Sequence, residues 1–192
     1  YSGTTSAYHY KKSGSSWVVA STMPSMTYNQ AICEVYDGCI HMIDTYSGTT
    51  THYKWDGTSW TLVATLSNAN VTGPANGNPF VAYNGKLYSL SARDIMEFDG
   101  TAWTDLGENP KFTKYNTTWN NSPSAILKGN LYIFGGTVNS TGSQSIWKFD
   151  GTEFKELSET LPYGGPRVAV TYSGKIHIIG FTNNYRLHYT FG

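Results

Sequence analysis

The sequence predicts an all-β domain built from repeated units of four short strands. A recurring phrase carries this prediction, together with a second phrase between its copies and a composition rich in strand formers. The first phrase reads KWDGTSWTLV at 54–63, EFDGTAWTDL at 97–106 and KFDGTEFKEL at 148–157. A worn copy, KKSGSSWVVA, stands at 11–20. Trp17, Trp60, Trp103 and Phe154 share one place in the phrase, at spacings of 43, 43 and 51 residues. A period of this size marks stacked supersecondary units, as in solenoids and propellers. The second phrase reads DGCIHMID at 37–44, NGKLYSLS at 84–91, KGNLYIFGG at 128–136 and SGKIHIIG at 173–180. No stretch keeps a helical period, and the chain holds 15 Tyr, 8 Phe and 6 Trp, residues that suit a pleated surface.

Each unit divides into strands a to d. Strand a is the run before the first turn, at 31–36, 80–83 and 168–172. Strand b leaves that turn with alternating apolar residues. Strand c places Trp55, Phe98 or Phe149 just before Asp-Gly, and strand d carries the Trp or Phe of the phrase. Asp-Gly and Asn-Gly suit two-residue hairpins, because Gly accepts a positive φ and Asp or Asn tolerates it. Such a turn at Asp37-Gly38 sets Tyr36 opposite Cys39 and Cys33 opposite Met42. The two thiols then point to opposite faces of the hairpin and form no disulfide.

Leu131–Gly136, followed by Trp147, Phe149 and Phe154, resembles the kelch repeat: a hydrophobic strand, a strand ending in Gly-Gly, then an aromatic, a turn and a Trp. Only this unit keeps both glycines, Gly135 and Gly136. The resemblance covers nearly the whole chain and implies a β-propeller of four-stranded antiparallel blades. The units fall at about 1–21, 22–66, 67–109, 110–162 and 163–192. The chain opens with strands c and d and stops after a strand c, giving about three full blades and a partial blade at each end. The expectation is a segment of a longer propeller, with further blades or domains as partners. A small closed ring with one displaced strand is the alternative.

Formal net charge is zero and 14% of residues are charged, which argues against nucleic acid. No run of about 20 apolar residues is present to insert in a membrane. Neutral charge with abundant Thr, Ser, Asn and Tyr suits an extracellular or virion surface. Asn70, Asn116, Asn120 and Asn139 head glycosylation sequons, which matter only in a secreted eukaryotic protein.

The repeat removes most candidates for chemistry. His41 and His177 share a slot with Tyr88 and Tyr132, and His9 and His52 share one with Ile95, so these are packing positions. No ligand spacing for a metal appears. Asp37, Asp56, Asp99 and Asp150 sit beside turn glycines and cap turn amides. Glu153, Glu156 and Glu159 belong to a solvated edge. Asp44 and Asp94 end strand b and are the pair available for glycoside chemistry. No nucleophile motif is present, so no catalytic residue and no cofactor are assigned. Trp17, Trp60 and Trp103 are expected to pack between neighbouring blades. Trp119 belongs to no repeat phrase. It either folds back onto its blade or stacks on a partner.

Loop lengths distinguish the two faces. Turns a–b and c–d are short and alike, whereas connections b–c (about 44–51, 91–94, 137–144 and 181–185) and d–a (about 20–29, 64–79, 107–122 and 158–167) vary. Recognition resides in variable loops on a rigid scaffold. The candidate binding residues on that face are Tyr28, Asn78, Arg93, Lys111, Tyr115, Trp119, Asn121, Tyr163 and Arg167. The expected function is non-catalytic recognition or assembly, with a protein or glycan as ligand. The phrase also resembles propeller segments of bacterial surface proteins and phage tail fibres. The alternatives are a carbohydrate-active enzyme of the kelch-type mutarotase kind, using Arg93, Arg167, Asp44 and Asp94, and an intracellular adaptor.

Overall fold

The computed structural model describes residues 8–24, 31–46, 49–66, 79–90, 95–107, 117–118, 122–138, 141–163, 165–181 and 186–192. Within them the chain is all-β. Its main antiparallel sheets of three or four strands are arranged as a four-bladed β-propeller. Blade 1 comprises β3 (Ile32–Tyr36), β4 (Cys39–Tyr46), β5 (Thr49–Trp55) and β6 (Trp60–Leu66) in that order. Blade 2 comprises β7 (Phe80–Tyr83), β8 (Lys86–Leu90), β9 (Ile95–Phe98) and β10 (Trp103–Asp105). Blade 3 comprises β12 (Ser124–Leu127), β13 (Asn130–Phe134), β16 (Ser145–Phe149) and β17 (Phe154–Thr160). Blade 4 has three strands, β18 (Pro166–Tyr172), β19 (Lys175–Phe181) and β20 (Arg186–Phe191). Before blade 1 stands a two-stranded hairpin, β1 (Tyr8–Ser13) and β2 (Ser16–Thr22).

The a–b turns close as the sequence predicts. Asp37, Asn84, Lys128 and Ser173 take φ of 48 to 50°, and the following glycines take 72 to 74°. Two successive positive φ values make a type I′ turn, whose twist matches the strands it joins. The register follows: Tyr36 pairs with Cys39 and Cys33 with Met42, and both cysteines are free.

The c–d turns are different. Trp55 pairs with Trp60, Phe98 with Trp103, and Phe149 with Phe154, so each loop has four residues rather than two. The Asp side chain explains the extra length. Asp56 Oδ1 accepts from the Thr58 amide at 2.8 Å, the Thr58 hydroxyl at 2.7 Å and the Ser59 amide at 2.9 Å. Asp99 and Asp150 repeat the same three bonds with Thr101 and Ala102, and with Thr152 and Glu153. The DGT phrase is therefore a carboxylate-capped loop.

Two b–c connections expected to be loops are partly strand, and the d–a connection at about 107–122 holds a short strand as well. β4 and β5 run on until Tyr46 pairs with Thr49. In the third unit, β14 (Thr137–Val138) pairs with both β15 (Thr141–Gly142) and β11 (Thr117–Thr118), forming a small sheet apart from the blade. Neither carries an apolar alternation, so neither is legible as strand in the sequence.

Neighbouring blades meet through aromatic and branched side chains. Between blades 1 and 2, Ile43 packs with Phe80, Leu87 and Phe98. Between blades 2 and 3, Val81, Tyr83, Tyr88, Leu90 and Ile95 meet Leu131, Ile133, Trp147, Phe149 and Phe154. Phe149 and Phe154 stack at 4.3 Å, and Tyr88 meets the Phe149 ring edge-on at 5.3 Å. Between blades 3 and 4, Leu127, Phe134 and Ile146 meet Ile176 and Ile178. Gly135 (φ 79°) allows a close approach here, since a Cβ would lie 2.6 Å from Pro166 Cγ of blade 4. That contact accounts for a glycine at this place.

A tyrosine latch runs along the interfaces. The Tyr36 hydroxyl donates to the Gly85 carbonyl at 3.0 Å, and the Tyr83 hydroxyl donates to the Gly129 carbonyl at 2.8 Å. Tyr36 and Tyr83 thus each grip the a–b turn of the next blade. Trp60, Trp103 and Phe154 pack inward as expected, but Trp17 does not. It is 70% exposed, because among the described residues no sheet covers that side of the hairpin. The hairpin's other side lies on blade 1, with His9 edge-on to Trp55 at 4.9 Å and to Trp60 at 5.9 Å.

Candidate functional site

The four strands a are the innermost of their sheets, and their first residues converge on a cleft of about 400 Å³. Cys33 and Glu34 come from β3, Phe80 from β7, Ser122 and Ser124 from the start of β12, and Arg167 from β18. This is the end of the propeller fed by the d–a connections. A second cleft of about 330 Å³ lies at the other end, between the a–b turns of blades 1 and 2, and is lined by repeat residues such as Tyr36, Tyr83 and Lys86. The two ends differ in kind: one is made of shared turn chemistry, while the polar side chains of the other, Glu34, Ser122 and Arg167, are peculiar to their units.

The polar groups of the first cleft have distinct states. Burial pushes the Glu34 carboxyl above its ordinary range, against the Val35 backbone bond that favours the anion. Desolvation also pushes the Cys33 thiol up, which keeps it protonated and unreactive at neutral pH. Ser122 is buried, and its hydroxyl finds no hydrogen-bond partner among the described residues. A buried hydroxyl without a partner costs about 1–3 kcal/mol. A ligand bonded to it recovers that cost. Arg167 is exposed on the wall. A cation, a carboxyl and hydroxyls at one rim suit a polar, hydrogen-bonding ligand.

Arg167 is thus the predicted residue that lines the cleft. Tyr163 is 57% exposed in the loop before β18 and does not line it. Tyr28, Asn78, Arg93, Lys111, Tyr115, Trp119 and Asn121 lie outside the described residues, as does Asp94. Asp44 is buried at 4% exposure and is absent from the cleft wall, so Asp44 and Arg167 are not brought together there. Glu34 and Ser122 were missed by sequence reasoning. Glu34 carried a usable signal: its repeat slot is filled by Val81 and Val170 in other units.

The histidines form a buried relay rather than a ligand set. Trp103 Nε1 donates to His52 Nδ1 at 3.1 Å. His52 therefore carries its proton on Nε2, which donates to His41 Nδ1 at 2.8 Å. Burial lowers the His52 pKa to about 3, aided by His41 and Lys54. Burial and Lys54 also lower that of His41, with Asp37 opposing. Both rings are neutral in the folded protein. In blade 2 the equivalent place holds Tyr88, whose hydroxyl donates to Glu97 at 2.9 Å beside the Lys86–Glu97 ion pair at 2.5 Å. Among the described residues no three His, Cys, Asp or Glu side chains form a metal-binding group.

No protein-family model matches the chain, and no curated protein matches it. Its fold is similar to a solved structure titled "Structure of YjhT", at 14% identity over 91% of this chain and 87% of that one, with a TM-score of 0.46.

Proposed function

We propose that this chain is a kelch-like recognition and assembly module that binds a protein or a glycan at the mouth formed by its strand-a starts. The propeller fold itself suits a binding or assembly role. The observation that carries the finer reading is the convergence of Arg167, Glu34 and the partnerless Ser122 hydroxyl on one cleft. These side chains are peculiar to their units, whereas the opposite end repeats itself. The low charge and the wealth of hydroxyl and amide side chains favour an extracellular or virion surface. The assignment is non-catalytic: the cleft offers a cation and hydrogen-bonding groups but no activated nucleophile among the described residues.

A glycan array, run beside a panel of immobilised extracellular proteins, tests the proposal. The wild-type chain is expected to retain a defined ligand, and Arg167→Ala to weaken it by at least about tenfold. Trp119→Ala, run in parallel, decides whether that loop takes part. Turnover of any sugar on the array would remove the non-catalytic assignment. Undiminished binding by Arg167→Ala would remove the cleft.

A further inference from the structure

The Trp103–His52–His41 relay lies in the joint between blades 1 and 2, and its bonding leaves no place for an added proton. Trp103 Nε1 donates to His52 Nδ1, and His52 Nε2 donates to His41 Nδ1. His41 therefore carries its own proton on Nε2. An added proton must go to an Nδ1, and each Nδ1 already accepts a bond. At His52 it would set a ring N–H against the indole N–H, which is a donor only. At His41 it would set two ring N–H groups against each other. Proton uptake by either ring thus breaks one link of the relay, and both rings are buried.

The surroundings do little to hold a charged relay in place. On β3, Glu34 is the cross-strand neighbour of His41, and Tyr36 lies edge-on to it at 5.3 Å. Burial pushes the Glu34 carboxyl up, which weakens it as a counter-charge when pH falls. On β5, Lys54 opposes a second positive charge, while Asp37 in the a–b turn favours one. Blade 2 presents Phe98, 4.9 Å from the His52 ring, and Trp103, while its Lys86 and Asp99 act on Tyr36. On β6, Ala64 stands opposite His52. Between blades 2 and 3 the three relay slots hold Tyr88, Ile95 and Phe154, so that joint has no histidine in them.

We propose that the relay is a proton-sensitive clasp: mild acid opens the joint between blades 1 and 2 and, with it, the mouth of the cleft. Phe98 and Trp103 belong to the same packed cluster as Ile32, Ile43 and Phe80, and Ile32 and Phe80 also line the cleft. Unseating blade 2 from the histidines therefore moves the β3 wall of the cleft relative to the β7 wall. As a control on recognition the clasp rests on the cleft reading above, whereas the opening itself does not. His52 has a pKa of about 3 in the closed joint and returns to an ordinary 6.5 once open. The closed joint is thus fully favoured above about pH 6.5 and loses ground as pH falls towards 3. From His52 alone, the open form gains about 30-fold between about pH 7.5 and 5.

Hydrogen exchange of the indole N–H groups, followed by NMR on the 192-residue chain and corrected for the intrinsic rate at each pH, tests the clasp. Protection of the Trp103 N–H is expected to fall at least about tenfold between about pH 7.5 and 5. At the lower pH it should lie at least about tenfold below that of Trp147, which is buried between blades 2 and 3. This comparison needs no substitution. His52→Asn keeps an acceptor for Trp103 without a titrating ring, and should hold Trp103 protection within about threefold over the same range. A trifluoromethyl label on Cys33, in a Cys39→Ser chain, reports the cleft wall. In acid it should show a second resonance that is missing when His52→Asn is added. Trp103 protection that ignores pH, equal protection of Trp103 and Trp147 in acid, or a Cys33 label that does not follow the relay would each overturn the proposal. None of these readouts needs a bound molecule, so an empty ligand screen would remove the cleft reading and leave the clasp standing.

Discussion

Tyr83→Ala is expected to destabilise the protein by about 3–5 kcal/mol, while Tyr172→Ala changes stability by no more than about 0.5 kcal/mol. The two tyrosines hold the same place in their units, each ending strand a before a type I′ turn. Their surroundings decide the difference. Tyr83 is packed between blades 2 and 3, 6.0 Å from the Phe149 ring, and its hydroxyl latches the Gly129 carbonyl. Truncation there removes an aromatic ring, a part-buried hydrogen bond and the filling of the interface. At Tyr172, which is 70% exposed, no sheet of the described residues lies opposite, so truncation leaves no cavity. Urea unfolding of both variants checks the contrast. Equal losses would mean that blade 4 is covered in the monomer.

The second large effect is a loss of stability on mild acidification. His52 has a folded pKa of about 3 against an ordinary value of 6.5. A histidine held neutral contributes stability that is fully present above the unfolded pKa. It is lost as pH falls towards the folded one, since the unfolded chain takes up the proton first. Between about pH 6.5 and 5 the loss from His52 is about 1.5–2 kcal/mol. The double variant His52→Ile, Trp103→Phe copies the Ile95 and Phe154 combination already packed between blades 2 and 3. It should flatten the stability profile over that range, whereas an unchanged slope would mean that His52 is accessible to protons.

A separate window lies lower. Asp56, Asp99 and Asp150 have pKa values of about 2, led by the Ser59 amide, the Thr101 hydroxyl and the Glu153 amide respectively. Their contribution is present above about pH 4 and disappears as pH falls through about 2. Replacing all three with Asn should remove the stability change in that lower window alone.

The period and the turn chemistry made most strands readable, because strand pairing here is local and each turn is written in two residues. The Cys33–Met42 register follows from Asp37-Gly38 alone. What stayed hidden depends on neighbours in space. The four-residue c–d loops arise because a carboxylate bonds forward across the turn, a side-chain choice that a glycine pattern does not reveal. Trp17 reads like Trp60 and Trp103 in sequence, yet burial requires a facing sheet. The Trp103–His52–His41 relay joins two blades, so slot comparison marked the histidines as packing residues without finding the bonds between them. At the cleft, unequal loops pointed to Arg167. Glu34 escaped notice because it sits within a strand rather than a loop.

The location of function can be checked by comparing the two ends of the propeller in one ligand screen. One protein carries Arg167→Ala and Glu34→Gln at the cleft mouth. The other carries Thr58→Ala, Thr101→Ala and Thr152→Ala in the c–d turns. Binding should fall at least about tenfold in the first and stay at the wild-type level in the second. Binding that is lost from the turn variant and kept by the cleft variant would place recognition at the opposite end and contradict this reading.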